Sequence, residues 1–100
     1  MNLLINTVMQ EKQRIVFMIG KYEETLRKLP KGSLSSRRVG SRTYYYLKYR
    51  ENGKVISKYV PSNQADEIRS GIEKRKHIES MLLSLGKEKE LADKILGGAV

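Results

Sequence analysis

The chain has no cysteine and no tryptophan, one histidine, one phenylalanine and two prolines among its 100 residues. Without cysteine there are no disulfides, no thiol nucleophile and no cysteine-type zinc site. His77 stands alone in a lysine-rich stretch, a poor start for a metal site or a catalytic pair. No segment approaches the roughly 20 consecutive apolar residues that a membrane-spanning helix requires. The opening MNLLINTVMQEKQR has a short apolar run and meets Glu11 early, which does not fit a secretory leader. There is no GxSxG, no phosphate-binding Walker spacing and no pair of carboxylates in an apolar setting. The expectations are therefore a non-enzymatic, cytoplasmic protein with no cofactor, no metal and no membrane partner. A chain of this length is expected to form a single domain, residues 1–100, with a modest core.

Acidic residues are also scarce: 11 Asp and Glu against 20 Lys and Arg give a formal charge of +9. The distribution of that charge is more informative than its sum. Residues 1–30 carry five basic and three acidic side chains, residues 61–100 seven of each, and residues 31–60 eight basic against Glu51 alone. Charge kept only for solubility would be spread over the surface, whereas clustering concentrates potential where a polyanion could dock.

From Ile5 to Leu29 the apolar residues follow a heptad. Ile5, Ile19 and Leu26 occupy one seam position, and Val8, Ile15, Tyr22 and Leu29 the other, with Lys12 breaking the pattern. The spacing predicts a helix over 3–29 ended by Pro30 and Gly32. Its stripe fits a sheet, a partner helix or a homodimeric coiled coil through residues 5–29. A second helix is predicted over 63–96, opened by Asn63 with Asp66 three residues on. Ala65, Ile68, Ile72, Ile78, Leu82, Leu85, Ala92 and Leu96 form its stripe, and Arg75 and Lys89 interrupt it. Gly86 predicts a bend or break there. Glu73-Lys74-Arg75-Lys76 reads as a solvated helix face.

Between the helices, residues 34–60 read as a three-stranded antiparallel meander. Asn52-Gly53 suits a two-residue type I′ turn and Gly40-Ser41 a type II′ turn. These turns pair Val39 with Arg42 and Glu51 with Lys54. Alternation then gathers Leu34, Tyr45, Leu47, Tyr49, Ile56 and Val60 on one face. The other face collects Arg37, Val39, Arg42, Tyr44, Tyr46, Lys48, Arg50, Val55, Ser57 and Tyr59. A meander this small needs packing, so the apolar face is expected to lie under the helices. The fold class is α+β: long helix, three-stranded antiparallel β-meander, long helix.

Cations replace counterions on phosphates, and flat rings can stack on bases. The candidate nucleic-acid-binding residues are Arg37, Arg38, Arg42, Tyr44, Tyr46, Lys48, Arg50, Lys54, Lys58 and Tyr59. Cross-strand tyrosine pairs and lysines that guard sheet edges would give a similar composition for purely structural reasons.

Residues 29–60, LPKGSLSSRRVGSRTYYYLKYRENGKVISKYV, resemble a family of small, poorly characterised prokaryotic and viral domains that place a basic hairpin between two helices. The segment also resembles accessory DNA-binding segments of integrases and transposases. The resemblance implies a short module associated with DNA or RNA, of mobile-element or phage origin, and carries over no catalytic residue. Two alternatives stand beside it. One is a protein-interaction inhibitor of a nucleic-acid-processing ribonucleoprotein, such as an anti-CRISPR protein, and the other is a coiled-coil adaptor.

Overall fold

The computed structural model describes residues 2–98. Helix α1 spans Leu3–Arg27, strands β1, β2 and β3 span Ser33–Val39, Arg42–Glu51 and Lys54–Val60, and helix α2 spans Ser62–Gly98. This is the expected α+β order. The described residues group into two compact units, residues up to 28 with 77 onward and residues 29–76.

In the helical unit, α1 starts where the Asn2 side chain accepts a hydrogen bond from the Leu4 amide at 2.9 Å, satisfying one of the unpaired first-turn donors. It stops at Arg27, two residues before the expected end, because Leu29 precedes Pro30 and is biased away from helical geometry. Its partner is the second part of α2. Ile15 of α1 is buried, as are Ile78, Leu85 and Ala92, spaced by sevens on α2. Leu82, Lys89 and Leu96 lie half-buried between them in the alternating four- and three-residue steps of a knobs-into-holes seam. Of the α1 stripe Ile15 is buried, and Ile5, Val8, Ile19, Tyr22 and Leu26 are half-buried.

The two lysines that break the sequence pattern explain each other. Lys12 Nζ lies 2.5 Å from Asp93 Oδ1, and Lys89 Nζ 3.0 Å from Asp93 Oδ2. One carboxylate thereby serves the polar residue of each seam, the arrangement that fixes register between paired helices. The Lys12 ammonium, then that of Lys89, holds the Asp93 carboxyl below its ordinary range. Glu11 and Arg14 form an ion pair on the same helix, and that pairing lowers the Glu11 carboxyl in the same way. Lys12 faces Asp93 while Arg14 feels Glu88, so the helices run antiparallel. A surplus of apolar surface remains outside this seam: Leu3, Leu4, Met9, Val16 and Phe17 on α1, and Leu83, Leu91 and Ile95 on α2, are exposed.

In the second unit the strand order is β1-β2-β3, fully antiparallel. Val39 pairs with Arg42 and Glu51 with Lys54, the register that the turns require. Asn52 and Gly53 both have positive φ, 51° and 78°, and at the other turn Gly40 has φ 63°. Those are the signs of type I′ and type II′ turns, whose twist matches that of the strands they join. Gly32 has φ 103°, and a Cβ there would overlap the Lys48 carbonyl and approach Tyr49 Cβ to 2.8 Å. Glycine is what lets the chain lie against β2 as it enters β1.

The first part of α2 belongs to this unit together with the sheet. Its buried side chains are Val60, Ala65 and Ile72. Helix α2 begins at Ser62, one residue early, with the Gln64 amide donating to the Pro61 carbonyl at 2.9 Å. At Gly71 a Cβ would meet the Pro30 ring at 2.8 Å, so the missing side chain makes room for proline. Arg75, expected on a solvated face, is half-buried instead and donates to the Leu29 carbonyl at 3.1 Å. Glu73, Lys74 and Lys76 are exposed as expected. The predicted break at Gly86 is absent: α2 is continuous to Gly98, since a single glycine costs only about 1 kcal/mol and the Ile78 to Leu96 stripe continues across it.

Candidate nucleic-acid interface

Alternation along paired strands decides which side chains share a surface. On β2 the residues Arg42, Tyr44, Tyr46, Lys48 and Arg50 point one way. The register lays Val39, Arg37, Ser35 and Ser33 of β1 beside them on one side and Tyr59, Ser57 and Val55 of β3 on the other. No carboxylate occurs on this outer face. Four cations, Arg37, Arg42, Lys48 and Arg50, therefore sit together without a neutralising partner of their own row.

Seven of the ten sequence candidates occupy this face: Arg37, Arg42, Tyr44, Tyr46, Lys48, Arg50 and Tyr59. The register brings Arg38, Lys54 and Lys58 to the opposite side with Tyr45, Leu47 and Tyr49. There Lys54 faces Glu51 across the hairpin, and Lys58 Nζ lies 5.7 Å from the Tyr49 ring centroid. Lys31 Nζ approaches the same ring at 5.5 Å, so Tyr49 is bracketed by cations. Choosing basic residues by local density alone over-collects in a strand, where every second residue belongs elsewhere.

The three outer tyrosines form a cluster. Tyr59 lies 6.0 Å from Tyr46 in an edge-on arrangement and 6.4 Å from Tyr44 at a 51° tilt. Such pairs stabilise one another beyond simple area burial. Tyr44 and Tyr46 are half-buried, while Tyr59 is 58% exposed. Only Tyr59 offers a broadly open ring, and the other two brace it.

Beside this cluster is a cleft of about 460 Å³ lined by Ser35, Ser36, Arg37, Tyr46, Lys48 and Ser57. The serines were not among the sequence candidates. Their signal was present in the face assignment of Ser57 and in the alternation of SLSS, yet serine carries no charge or ring to attract notice. Ser35 Oγ donates to the Tyr46 carbonyl at 3.4 Å. Among the described residues no cluster of His, Asp or Glu could hold a metal ion, and no helix is long and apolar enough to cross a membrane.

The family model for a domain of unknown function, DUF6788, matches residues 6–70. The chain belongs to that family. The DUF6788 span runs from within α1 through all three strands into the first part of α2, so the whole outer face lies inside it. No curated protein and no solved structure matches the chain.

Proposed function

We propose that this DUF6788 protein is a non-enzymatic nucleic-acid-binding module that uses the outer face of its sheet. The observation that carries the reading is the register: it groups Arg37, Arg42, Lys48 and Arg50 with Tyr44, Tyr46 and Tyr59 on one carboxylate-free surface. The cations displace counterions from phosphates, and Tyr59 offers a ring to a base. A regulatory module of prokaryotic or viral mobile-element origin, acting in the cytoplasm, fits this chemistry.

The test is a binding series with single-stranded DNA, duplex DNA and RNA at two salt concentrations. Affinity should fall steeply as salt rises, because each phosphate contact releases counterions. Absence of binding to all three at low salt would overturn the reading. A second reading, a protein-interaction module acting on a ribonucleoprotein, is favoured by the exposed apolar side chains of the helical unit, Phe17 and Leu91 among them. A partner retained after nuclease treatment would favour it.

A further inference from the structure

The cleft beside the tyrosine cluster has a composition that plain charge neutralisation does not need. Arg37 and Lys48 can only donate hydrogen bonds, and donors are all that a phosphate oxygen requires. Serine hydroxyls both donate and accept. The cleft holds Ser57 and Ser35, the latter with its Oγ 3.4 Å from the Tyr46 carbonyl, and each hydroxyl oxygen brings lone pairs that can accept. Those lone pairs have no use for a phosphate. They suit a ligand hydroxyl that sits beside a phosphate.

We infer that the cleft is a ribose-phosphate subsite and that the outer face takes single-stranded RNA in preference to DNA; this rests on the nucleic-acid reading above. The 2′-hydroxyl is the group by which a protein tells RNA from DNA. The grid of the sheet positions one nucleotide. Ser35, Tyr46 and Tyr59 form one row across the three strands, and Ser33, Lys48 and Ser57 the next. Rows on one face are roughly 6.7 Å apart and strands about 4.8 Å apart. A base stacked on Tyr59 thus leaves its sugar beside Ser57, one row along the same strand, and its phosphate beside Lys48 on the next strand. Stacking on one exposed ring requires an unpaired base, which selects single strands.

The experiment is fluorescence anisotropy with one sequence made as RNA, as DNA and as 2′-O-methyl RNA, which keeps the ribose oxygen but removes its proton. RNA should bind about 5-fold more tightly than DNA, the ratio of one ordinary net hydrogen bond. The 2′-O-methyl strand should fall to the DNA value. Ser35→Ala with Ser57→Ala should bring the RNA-to-DNA ratio to about 1, and Ser57→Thr, which keeps the hydroxyl, should preserve it. Ser57→Ala alone should lower the ratio should the double variant fail to fold. Equal salt-sensitive binding of RNA and DNA by the native protein would overturn the ribose inference and leave the nucleic-acid reading standing, as would preference for duplex. No binding to any strand would overturn both.

Discussion

Replacing Gly71 and Gly86 by alanine, one at a time, separates two reasons for a glycine inside a helix. Both lie within α2, and in a helix interior alanine is favoured over glycine by about 1 kcal/mol. At Gly86 a new Cβ meets nothing within 4 Å, so Gly86→Ala should realise the full gain. For a domain of this size that corresponds to a rise in Tm of about 4–8 °C. At Gly71 the same methyl would stand 2.8 Å from both Cδ and Cγ of Pro30, and a proline ring cannot rotate out of the way. Overpacking of this kind costs about 1–3 kcal/mol, which leaves Gly71→Ala between neutral and about 2 kcal/mol destabilised. Urea unfolding followed by far-ultraviolet circular dichroism would compare the two. Pro30→Ala should restore part of the loss in the Gly71→Ala background. Equal stabilisation by the two substitutions would refute the close approach of Pro30 to α2.

Three further outcomes follow from the same reasoning. Gly32→Ala forces a side chain into φ 103° and onto the Lys48 carbonyl, so it should cost at least about 2 kcal/mol and loosen β1, read as faster exchange at Ser35 and Arg37, whose amides face β2 in the ladder. Asp93 has a lowered folded pKa, so its contribution is present above the ordinary carboxylate range and is lost as pH falls through the folded value. Asp93→Asn should therefore be less stable than the native chain at neutral pH, with the difference shrinking as the solution is acidified; a pH-independent difference would remove Lys12 and Lys89 as its cause. Tyr59→Ala should weaken single-strand binding by about 1–3 kcal/mol, whereas Tyr59→Phe, which keeps the ring and its contacts with Tyr44 and Tyr46, should change binding and melting temperature little.

The meander was legible because its signals are local and mutually consistent. Asn52-Gly53 and Gly40-Ser41 each demand a particular turn, the turns dictate register, and register dictates faces. The interruptions in the helices were harder to read, because their meaning depends on partners far away in sequence. Lys12 and Lys89 look like faults in two separate stripes until Asp93 is seen between them. Arg75 looks solvated until the Leu29 carbonyl, left at the end of the chain's approach to Pro30, is placed beside its guanidinium. Gly71 likewise reads as a weakness of α2, whereas it is a space for a proline some forty residues earlier. In the candidate site the cations were found by density and sorted only by alternation, which removed Arg38, Lys54 and Lys58 from the outer face.

That sorting allows a direct comparison of two variants with the same change in charge. Arg42, Lys48 and Arg50 lie on the outer face, and Arg38, Lys54 and Lys58 on the other. Each set is replaced by alanine, and binding to single-stranded RNA is measured across a salt range. Loss of the outer set should weaken binding strongly and flatten the log–log salt slope by about 2, at roughly 0.7 per phosphate contact. Loss of the other set should leave the slope unchanged and the affinity within about 2-fold, because screened charges on the far side contribute little. Equal weakening by the two variants would contradict the claim that the outer face is the binding surface.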